Sequence, residues 1–454
     1  MTGRKIFALV LLCIINFFHF VPIVFAAYSQ AQKITASDGD ASDSFGSSAG
    51  IDGNYAVLSA SSDDKPSGAT SGSAYVFYNN GAGSGFAQQA KLEASDKASG
   101  DNFGWDAAII DPLIIVGARN ADDTGGTDQG EAYIFKRSGT SWTQKAALKA
   151  SNAVASDFFG NSVGIDTYTA IVGAPTASPS GNSLAGTAYT FSSSDSGETW
   201  SQQTILAPAS VVAGDNFGIS VDIDGDYAIV GAAQNTAGGN GKATIYFWNG
   251  SSWTLQQTIT ASDAATGDSF GTSVSINGSY ATVGASYKTV DGLTNAGAVY
   301  VFVRSGTTWT QQQKVVPTTA ISGAKFGGDI DMQGNNLVVG REGQFDESGN
   351  GRLYLFTRSG TTWTQDSLLT ASDGATGDIL GAGVGIAEDG VIVASAPGDD
   401  ISAATNQGSA YFFTDGGGWS QSGGGVPEFS TYVYLLTLFA AFALIKKQSS
   451  SLRF

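Results

Sequence analysis

The sequence predicts an all-β protein built from seven copies of one unit. The first marker is Phe-Gly, which has Leu380-Gly381 in its place in the seventh copy and otherwise begins at Phe45, Phe103, Phe159, Phe217, Phe270 and Phe326. The second marker is an aromatic residue in the same phase, at Phe86, Trp142, Trp200, Trp253, Trp309, Trp363 and Trp419. The third marker is Tyr-x-Phe, which the fourth copy replaces by Ile-Tyr-Phe. Three markers in phase indicate a repeat architecture.

Each copy contains four segments with the pattern of short strands. In the fourth copy they read GISVDI, DYAIVGA, ATIYFW and WTLQQTIT, where β-branched and aromatic residues alternate with small or polar ones. Gly, Asn and Asp separate the segments, and none has a convincing helical period. Four short strands in a repeat of about 56 residues are typical of a propeller blade. The sequence therefore predicts a seven-bladed β-propeller of four-stranded blades over residues 27–422.

The two ends of this region predict how the ring closes. The seventh copy breaks off at Trp419 and runs into Ser-Gly-Gly-Gly before a fourth strand is complete. A segment that resembles a fourth strand, SQAQKITASD, precedes the first Phe-Gly without a blade of its own. We therefore expect residues 30–36 to form the outer strand of the last blade, which would also protect a sheet edge.

These markers resemble the FG-GAP repeats that build the propeller of integrin α-subunits. The resemblance rests on Phe-Gly, on the stretch IDGDYAIVGA and on Gly-Ala-Pro, which is kept at Gly173-Ala174-Pro175. It implies the propeller fold and a role in binding or adhesion, and it implies no particular ligand. Family members bind calcium in a long loop between the first two strands. That loop is a tight Asp-Gly or Asn-Gly turn here, so the property does not carry over.

The N-terminus has the pattern of an export signal. Arg4 and Lys5 precede an apolar run, and Val24-Phe25-Ala26 fits a cleavage site after Ala26. The sequence thus predicts a signal peptide over residues 1–26, with a retained membrane helix as the alternative.

The C-terminus predicts a second sorting segment. Residues 423–430 form a linker with Pro427-Glu428-Phe429, residues 431–447 an apolar helix with a basic end, and residues 448–454 a cytoplasmic tail. This arrangement resembles the PEP-CTERM signals of prokaryotes in their PEF variant. The resemblance implies a sortase-type processing enzyme, anchoring by the helix and a place at the cell surface. A plain membrane anchor is the alternative.

Composition excludes several functions. The chain has 22 Lys+Arg against 40 Asp+Glu, so a nucleic-acid partner, which needs a basic surface, is not expected. The single Cys and single His, Cys13 and His19, lie in the predicted signal peptide. The exported part therefore lacks the residues for Ser-His-Asp or Cys-His catalysis, for a disulfide and for the usual zinc sites.

Aspartates are the candidate ligands. One precedes Phe or Leu by two residues in six copies, at Asp43, Asp101, Asp157, Asp215, Asp268 and Asp378. Its regularity favours a turn cap, while a metal ligand is the alternative. Further Asp pairs lie in the loops between second and third strands, and they are the candidate ligands for Ca²⁺: Asp63, Asp64, Asp122, Asp123, Asp399 and Asp400.

Three functions fit this sequence. The preferred one is a non-catalytic surface protein that binds another protein, a polysaccharide or a cation through an acidic loop face. This face is formed by the loops between second and third strands and between blades, and we expect variation in loop length to be confined to it. The second is a glycan-active enzyme using Asp, Glu or Tyr, for which the deviating sixth copy offers Lys325, Arg341 and Glu342. The third is a structural matrix or coat protein. We expect the phenylalanines to form the core and each Trp to pack on a neighbouring blade, with sugar stacking as the alternative role of Trp.

Overall fold

The computed structural model describes residues 28–64, 70–122, 126–208, 210, 212–234, 239–341 and 350–416. In these ranges the chain forms seven four-stranded antiparallel sheets, which are the seven blades of a β-propeller. The prediction of fold class and blade number is confirmed. Within the described ranges, no helix has both the length and the apolar character needed to cross a membrane. The predictions for residues 1–26 and for the tail, including Ala26, Pro427, Glu428 and Phe429, lie outside them.

The strands of the first four blades follow one another in chain order. Blade 1 contains β2 (Phe45–Asp52), β3 (Tyr55–Ala60), β4 (Ser73–Asn79) and β5 (Phe86–Leu92). Blade 2 contains β6 (Phe103–Ile110), β7 (Leu113–Ala118), β8 (Glu131–Ser138) and β9 (Ser141–Leu148). Blade 3 contains β10 (Ser162–Asp166), β11 (Thr169–Ala174), β12 (Thr187–Ser192) and β13 (Ser201–Leu206), with a 3₁₀ turn at Pro179–Gly181. Blade 4 contains β14 (Phe217–Asp224), β15 (Tyr227–Ala232), β16 (Lys242–Trp248) and β17 (Trp253–Ile259).

The last three blades complete the ring. Blade 5 contains β18 (Phe270–Asn277), β19 (Tyr280–Ala285), β20 (Ala298–Ser305) and β21 (Thr308–Val315). Blade 6 contains β22 (Phe326–Gln333), β23 (Asn336–Arg341), β24 (Arg352–Ser359) and β25 (Thr362–Leu369). Blade 7 contains β26 (Val384–Ile386), β27 (Ile392–Ala396) and β28 (Ser409–Thr414), and its fourth strand is β1 (Ser29–Ile34).

The N-terminal strand closes the ring, as the sequence predicts. β1 pairs antiparallel with β28, with Ser29 opposite Thr414 and Ile34 opposite Ala410. The strand ends at Ile34 and not at residue 36, because Ala36 already lies in the connection to the first blade. Pairing the two ends of the propeller removes the free edge that β28 would otherwise present.

The phenylalanine of each Phe-Gly lies in the core, as predicted. Phe45 has no exposed surface, and its ring makes edge contacts with Tyr75 and Phe77, with ring centroids 5.5 and 5.9 Å apart. Phe412 of blade 7 belongs to the same cluster, so this core joins two blades. The fourth copy differs, because Thr244 takes the position of the Tyr and Tyr246 that of the Phe.

Glycine lets neighbouring blades approach closely. Gly186 precedes the third strand of blade 3 with a φ of 79°, and a Cβ there would lie 2.1 Å from the carbonyl oxygen of Phe217 in blade 4. The Phe217 amide in turn donates to the Ala185 carbonyl at 2.9 Å. The same contact recurs at each blade junction, at Gly72, Gly130, Gly241, Gly297, Gly351 and Gly408. No larger residue fits, because both the backbone angle and the space are restricted.

Glutamine side chains join the outer strands. The Gln313 amide of β21 accepts a hydrogen bond from the Trp363 backbone N–H and donates to the Trp363 carbonyl, both at 2.8 Å. Gln257 makes the same two bonds with Trp309, at 2.9 and 2.8 Å, and Gln32 makes them with Phe86. Each of these three glutamines therefore connects the outer strand of one blade to the outer strand of the next by a pair of hydrogen bonds.

Among the described residues, Trp142, Trp309 and Trp363 pack on a Tyr of the preceding blade, as predicted, and Trp419 lies outside them. Trp309 and Trp363 are each 2 % exposed, and the indole N–H of Trp309 donates to the Gln256 side chain at 2.7 Å. The Trp309 ring meets the edge of Tyr227 in the preceding blade at 5.9 Å. Rings buried in this way are not available for stacking on a sugar.

Candidate functional site

The connections of the propeller lie on two faces. We call the loop face the surface formed by the connections between second and third strands and by those between blades. The turn face holds the connections between first and second and between third and fourth strands. Residues on the loop face bond across blades, as when the Asn102 amide donates to the Thr70 carbonyl. On the turn face the Arg304 amide donates to the Ser279 carbonyl of its own blade, and the Gly225 amide donates across blades to the Asp166 carboxylate at 2.7 Å.

The prediction that only the loop face varies in length is wrong. On the turn face, two-residue turns at 306–307 and 360–361 coexist with the longer connections 80–85 and 193–200. The blade-to-blade connections of the loop face, such as 93–102 and 260–269, keep one length. The length of the connections therefore does not distinguish the two faces. Any difference between them depends on their side chains.

Aspartates before Phe-Gly cap turns. The Asp101 carboxylate accepts from the Ala98 N–H at 2.6 Å, and Asp157 and Asp268 accept from Val154 and Ala265 at 2.8 and 2.7 Å. Asp43 and Asp378 cap in the same way, through the N–H groups of Asp40 and Ala375. Asp215 instead meets Lys242 at 2.6 Å. The structural interpretation of this recurring Asp is thus confirmed for five copies.

Two of the predicted calcium ligands lie in buried ion pairs. Asp63 is 1 % exposed, and its carboxylate lies 2.7 Å from the Lys91 ammonium and 2.9 Å from the Tyr75 hydroxyl, which donates to it. Asp399 in blade 7 repeats this arrangement, with Lys33 at 2.7 Å and Tyr411 at 2.9 Å. Both carboxylates are therefore already neutralised by protein groups.

The other described members of these pairs are Asp64, Asp122 and Asp400. Asp122 and Asp400 each accept a hydrogen bond from the N–H six residues further on, at Asp128 and Asn406, both at 2.8 Å. These bonds fasten the loop, and Ser178 makes the corresponding bond in blade 3. Asp64 is exposed, and Asp123 lies outside the described residues.

One place brings several carboxylates together. Ligand atoms of Asp43, Asp63 and Asp64 all lie within 4.8 Å of one another. Burial raises the pKa of Asp43 to about 6, and the negative charges of Asp63 and Asp64 contribute to the rise. Three carboxylates supply part of the roughly six to eight oxygen ligands that Ca²⁺ takes, and the ion would have to share Asp63 with Lys91.

The structure describes two of the three deviating residues of the sixth copy. Lys325 lies over the Tyr287 ring at 5.1 Å, while Arg341 is 1 % exposed at the end of β23. Glu342 lies outside the described residues.

An acidic channel runs along the propeller axis, and the sequence analysis did not find it. Its cavity of about 590 Å³ is lined by the first strands of all seven blades and contains the carboxyl groups of Asp52, Asp106, Asp166, Asp222, Asp224, Asp329 and Asp331. Several lie three or five residues after Phe, so alternation along the first strand was the signal to follow.

The channel carboxylates connect adjacent blades. Asp222 accepts from the Ile276 N–H of the next blade at 2.7 Å, and Asp331 accepts from Ile386 at 2.8 Å. Burial raises the pKa of Asp222 to about 8, with a further contribution from the charge of Asp331. Burial likewise raises the pKa of Asp329 well above its ordinary value. These groups hold protons at pH values where an exposed Asp has lost its own.

The sequence repeat is offset from the blades by one strand. A family model described as the FG-GAP repeat matches seven segments, residues 28–77, 86–135, 142–191, 200–246, 253–302, 309–356 and 363–413. Each segment begins with the outer strand of one blade and ends in the third strand of the next. No curated protein matches the chain. With seven matched repeats that cover most of its length and build the seven blades, the chain belongs to the FG-GAP repeat family.

Proposed function

We propose that this chain is an exported, non-catalytic binding or adhesion protein that acts through the loop face of its propeller. The family supports the coarser part, since an FG-GAP propeller suggests a protein of the binding or adhesion type. The finer part concerns the partner, which we propose to be a surface protein or a polysaccharide. Export, anchoring by residues 431–447 and processing at Pro427-Glu428-Phe429 belong to the same proposal.

The observation that carries the proposal is that the blade junctions of the loop face share one backbone structure while their exposed side chains differ. Every blade junction on the loop face has the same Gly contact, and five junctions have the same Asp cap. The exposed residues differ from loop to loop, and large apolar ones are Val154, Leu184, Val212 and Tyr287, at 61, 41, 45 and 39 % exposure. A rigid scaffold that presents variable side chains suits recognition better than an inert coat.

A binding screen tests this proposal. The purified full-length chain is applied to arrays of glycans and of surface proteins, with and without calcium, and bound ligands are tested against Leu184→Asp and Val212→Asp. We expect at least one ligand whose binding both substitutions weaken, while Leu255→Asp, on the outer strand β17, leaves it unchanged. Ligands that bind all three variants equally would contradict the use of the loop face. Release of reducing sugar from a bound glycan would favour the enzyme.

Processing requires its own test. We expect mass spectrometry of the exported protein to find a new N-terminus after Ala26 and, if the tail is processed, a C-terminus near Pro427. An exported protein that keeps residues 1–26 would contradict the predicted signal peptide.

A further inference from the structure

Three side chains break the repeat at one place on the loop face. Trp105 takes the position two residues after Phe, where the other copies have Ser47, Asn161, Ile219, Thr272, Gly328 and Ala382. Arg119 follows Gly117-Ala118, where Ser61, Pro175, Ala233, Ser286 and Pro397 are the equivalents. Phe158 precedes Phe159, in a position otherwise held by Ser44, Asn102, Asn216, Ser269, Lys325 and Ile379. The three deviating residues meet between blades 2 and 3.

The guanidinium of Arg119 lies between the two aromatic rings. Its carbon is 3.2 Å from the centroid of the Trp105 ring and 5.4 Å from that of Phe158. Phe158 has a φ of 53°, a left-handed conformation that is unfavourable for a bulky residue. The same position is left-handed in every copy, including Ile379 with a φ of 61°, so the fold imposes this backbone angle and Phe158 is distinguished by the aromatic ring it places beside Arg119.

The guanidinium of Arg119 donates two hydrogen bonds to protein groups. Its Nε donates to the Asn120 side chain at 3.1 Å, and one terminal nitrogen lies 3.4 Å from the Asn161 side-chain oxygen. Arg119 forms no salt bridge in the ranges that the structure describes, although the negative charge of Asp128, whose carboxylate accepts from the Asn120 amide at 2.8 Å, acts on the guanidinium. A guanidinium has five N–H donors in a planar fork, so a carboxylate can still bind it.

Three other Arg side chains stack on aromatic rings, but these stacks recur in several blades and lie on the turn face. Arg137, Arg304 and Arg358 lie 4.6, 4.4 and 4.3 Å from Tyr55, Tyr227 and Tyr280, all on the turn face. Those stacks recur from blade to blade and are part of the architecture. In the part of the chain that the structure describes, the Arg119 stack occurs once, and Trp105, Arg119 and Asn161 line the central cavity.

We propose that Trp105, Arg119 and Asn161 form a subsite for a glycuronic acid residue within an otherwise neutral glycan. The guanidinium binds the carboxylate and the indole packs on the sugar ring. The Asn161 amide nitrogen donates one N–H to the Ile219 carbonyl at 3.2 Å, and its second N–H bonds a hydroxyl group of the sugar. The rest of the glycan is neutral because the chain carries a net charge of −18 and the channel below is lined by Asp, so that a polyanion is repelled. This inference rests on the proposed binding function of the loop face.

The test measures binding of methyl β-glucuronide to the full-length chain by calorimetry or NMR titration. Methyl β-glucoside, which lacks the carboxylate, and acetate, which lacks the ring, are the comparison ligands. We expect the glucuronide to bind tighter than both, with at least a tenfold loss in Arg119→Gln and a smaller loss in Trp105→Ala. Arg304→Gln removes a stack of the same kind from the turn face and should bind like the unmodified chain.

Two outcomes overturn the inference. One is unchanged glucuronide binding by Arg119→Gln with a native melting temperature, and the other is acetate binding as tight as that of the glucuronide. If Arg119→Gln does not fold, Arg119→Lys keeps a positive charge without the fork and should bind weakly; full binding by this variant also overturns it.

Failure of this subsite and failure of the proposed function give different results. If the arrays find a loop-face ligand that glucuronide does not displace and Arg119→Gln does not weaken, the subsite alone is wrong. If the ligands found bind Leu184→Asp, Val212→Asp and Leu255→Asp equally and glucuronide does not bind, the proposed use of the loop face is wrong and the subsite is wrong with it.

Discussion

At the scale of single residues, recurring aspartates serve the fold before they serve any ligand. Asp63 and Asp399 illustrate this, because each is buried against a Lys and a Tyr from the third and fourth strands of its blade. A buried carboxylate that has lost its partner is far more costly than the intact pair is favourable. The ion pairs Lys91–Asp63 and Lys33–Asp399 thus connect the outer strand of each blade to the loop between its second and third strands.

Replacing Lys91 with Met should leave Asp63 buried without its cation. We expect the free energy of unfolding to fall by about 1–3 kcal/mol, below the values for fully enclosed pairs because Lys91 keeps some contact with solvent. Chemical denaturation measures this loss. Lys97→Met, which removes a surface pair with Glu93, is the control and should change it by less than about 0.5 kcal/mol. Equal effects of the two substitutions would argue against the buried pair.

Calcium, if it binds, should act through Asp43, Asp63 and Asp64. We expect millimolar calcium to raise the melting temperature, because a cation bound only by the folded state would neutralise carboxylates whose burial and mutual repulsion raise the pKa of Asp43. Asp64→Asn should abolish that rise, whereas Asp226→Asn, on an exposed residue of the turn face, should preserve it. A melting temperature that does not change with calcium up to several millimolar would contradict a calcium site at these residues.

At the scale of elements, each repeat completes its neighbour. Because the sequence unit supplies the outer strand of one blade and three strands of the next, a blade cannot form from one unit alone. Paired hydrogen bonds from Gln side chains connect the outer strands, and close Gly contacts connect the inner part of neighbouring blades. Both kinds of contact make each blade depend on its neighbours. The N-terminal strand β1 is the last such connection, since its bonds to β28 close the ring.

Deleting Ser29–Ile34 should open the propeller. We expect a sharply lower melting temperature, because the deletion exposes the edge of β28 and removes Ile34 from the core shared by blades 7 and 1. Thermal unfolding followed by circular dichroism measures the change. A synthetic peptide of residues 28–37 added in trans should restore part of the stability, and a scrambled peptide should not. An unchanged melting temperature after the deletion would contradict closure by β1.

At the scale of the whole molecule, acidic groups in two environments set the dependence on pH. The channel places Asp106, Asp222, Asp329 and Asp331 where burial raises their pKa values. At the surface, the neighbouring Lys314 and Tyr300 lower the pKa of Asp263 to about 2, against the effect of its partial burial. The two sets of groups therefore respond to pH in opposite directions.

The free energy of unfolding should be greatest at mildly acidic pH. Between about pH 4, where an unfolded Asp ionises, and pH 8, the folded state retains the proton of Asp222 that the unfolded state has lost, so stability falls as pH rises. Below about pH 4, protonation of groups such as Asp263 removes their contribution and stability falls again. Calorimetry from pH 3 to 9 measures this profile. Asp222→Asn should flatten it between pH 6 and 8, and an unchanged slope would contradict the assignment to the channel.

The sequence by itself determined the all-β class, the seven blades and the closing strand. It could do so because each blade must bury Phe, Tyr and Trp at fixed intervals, and a requirement met seven times leaves a period that can be counted. The Asp of the turn caps and the Trp packing were predictable for the same reason. Local rules of strand and turn chemistry are enough for features that recur in every copy.

Only the tertiary structure decided what each charge meets. Asp63, Asp122 and Asp399 look alike in the loops, yet two of them face a Lys and a Tyr and the third fastens its own loop. The acidic channel forms from residues of seven distant strands, and Arg119 meets Trp105 and Phe158 only where two blades join. Contacts of this kind depend on distances through space between residues far apart in the chain, and such distances arise only when the ring closes.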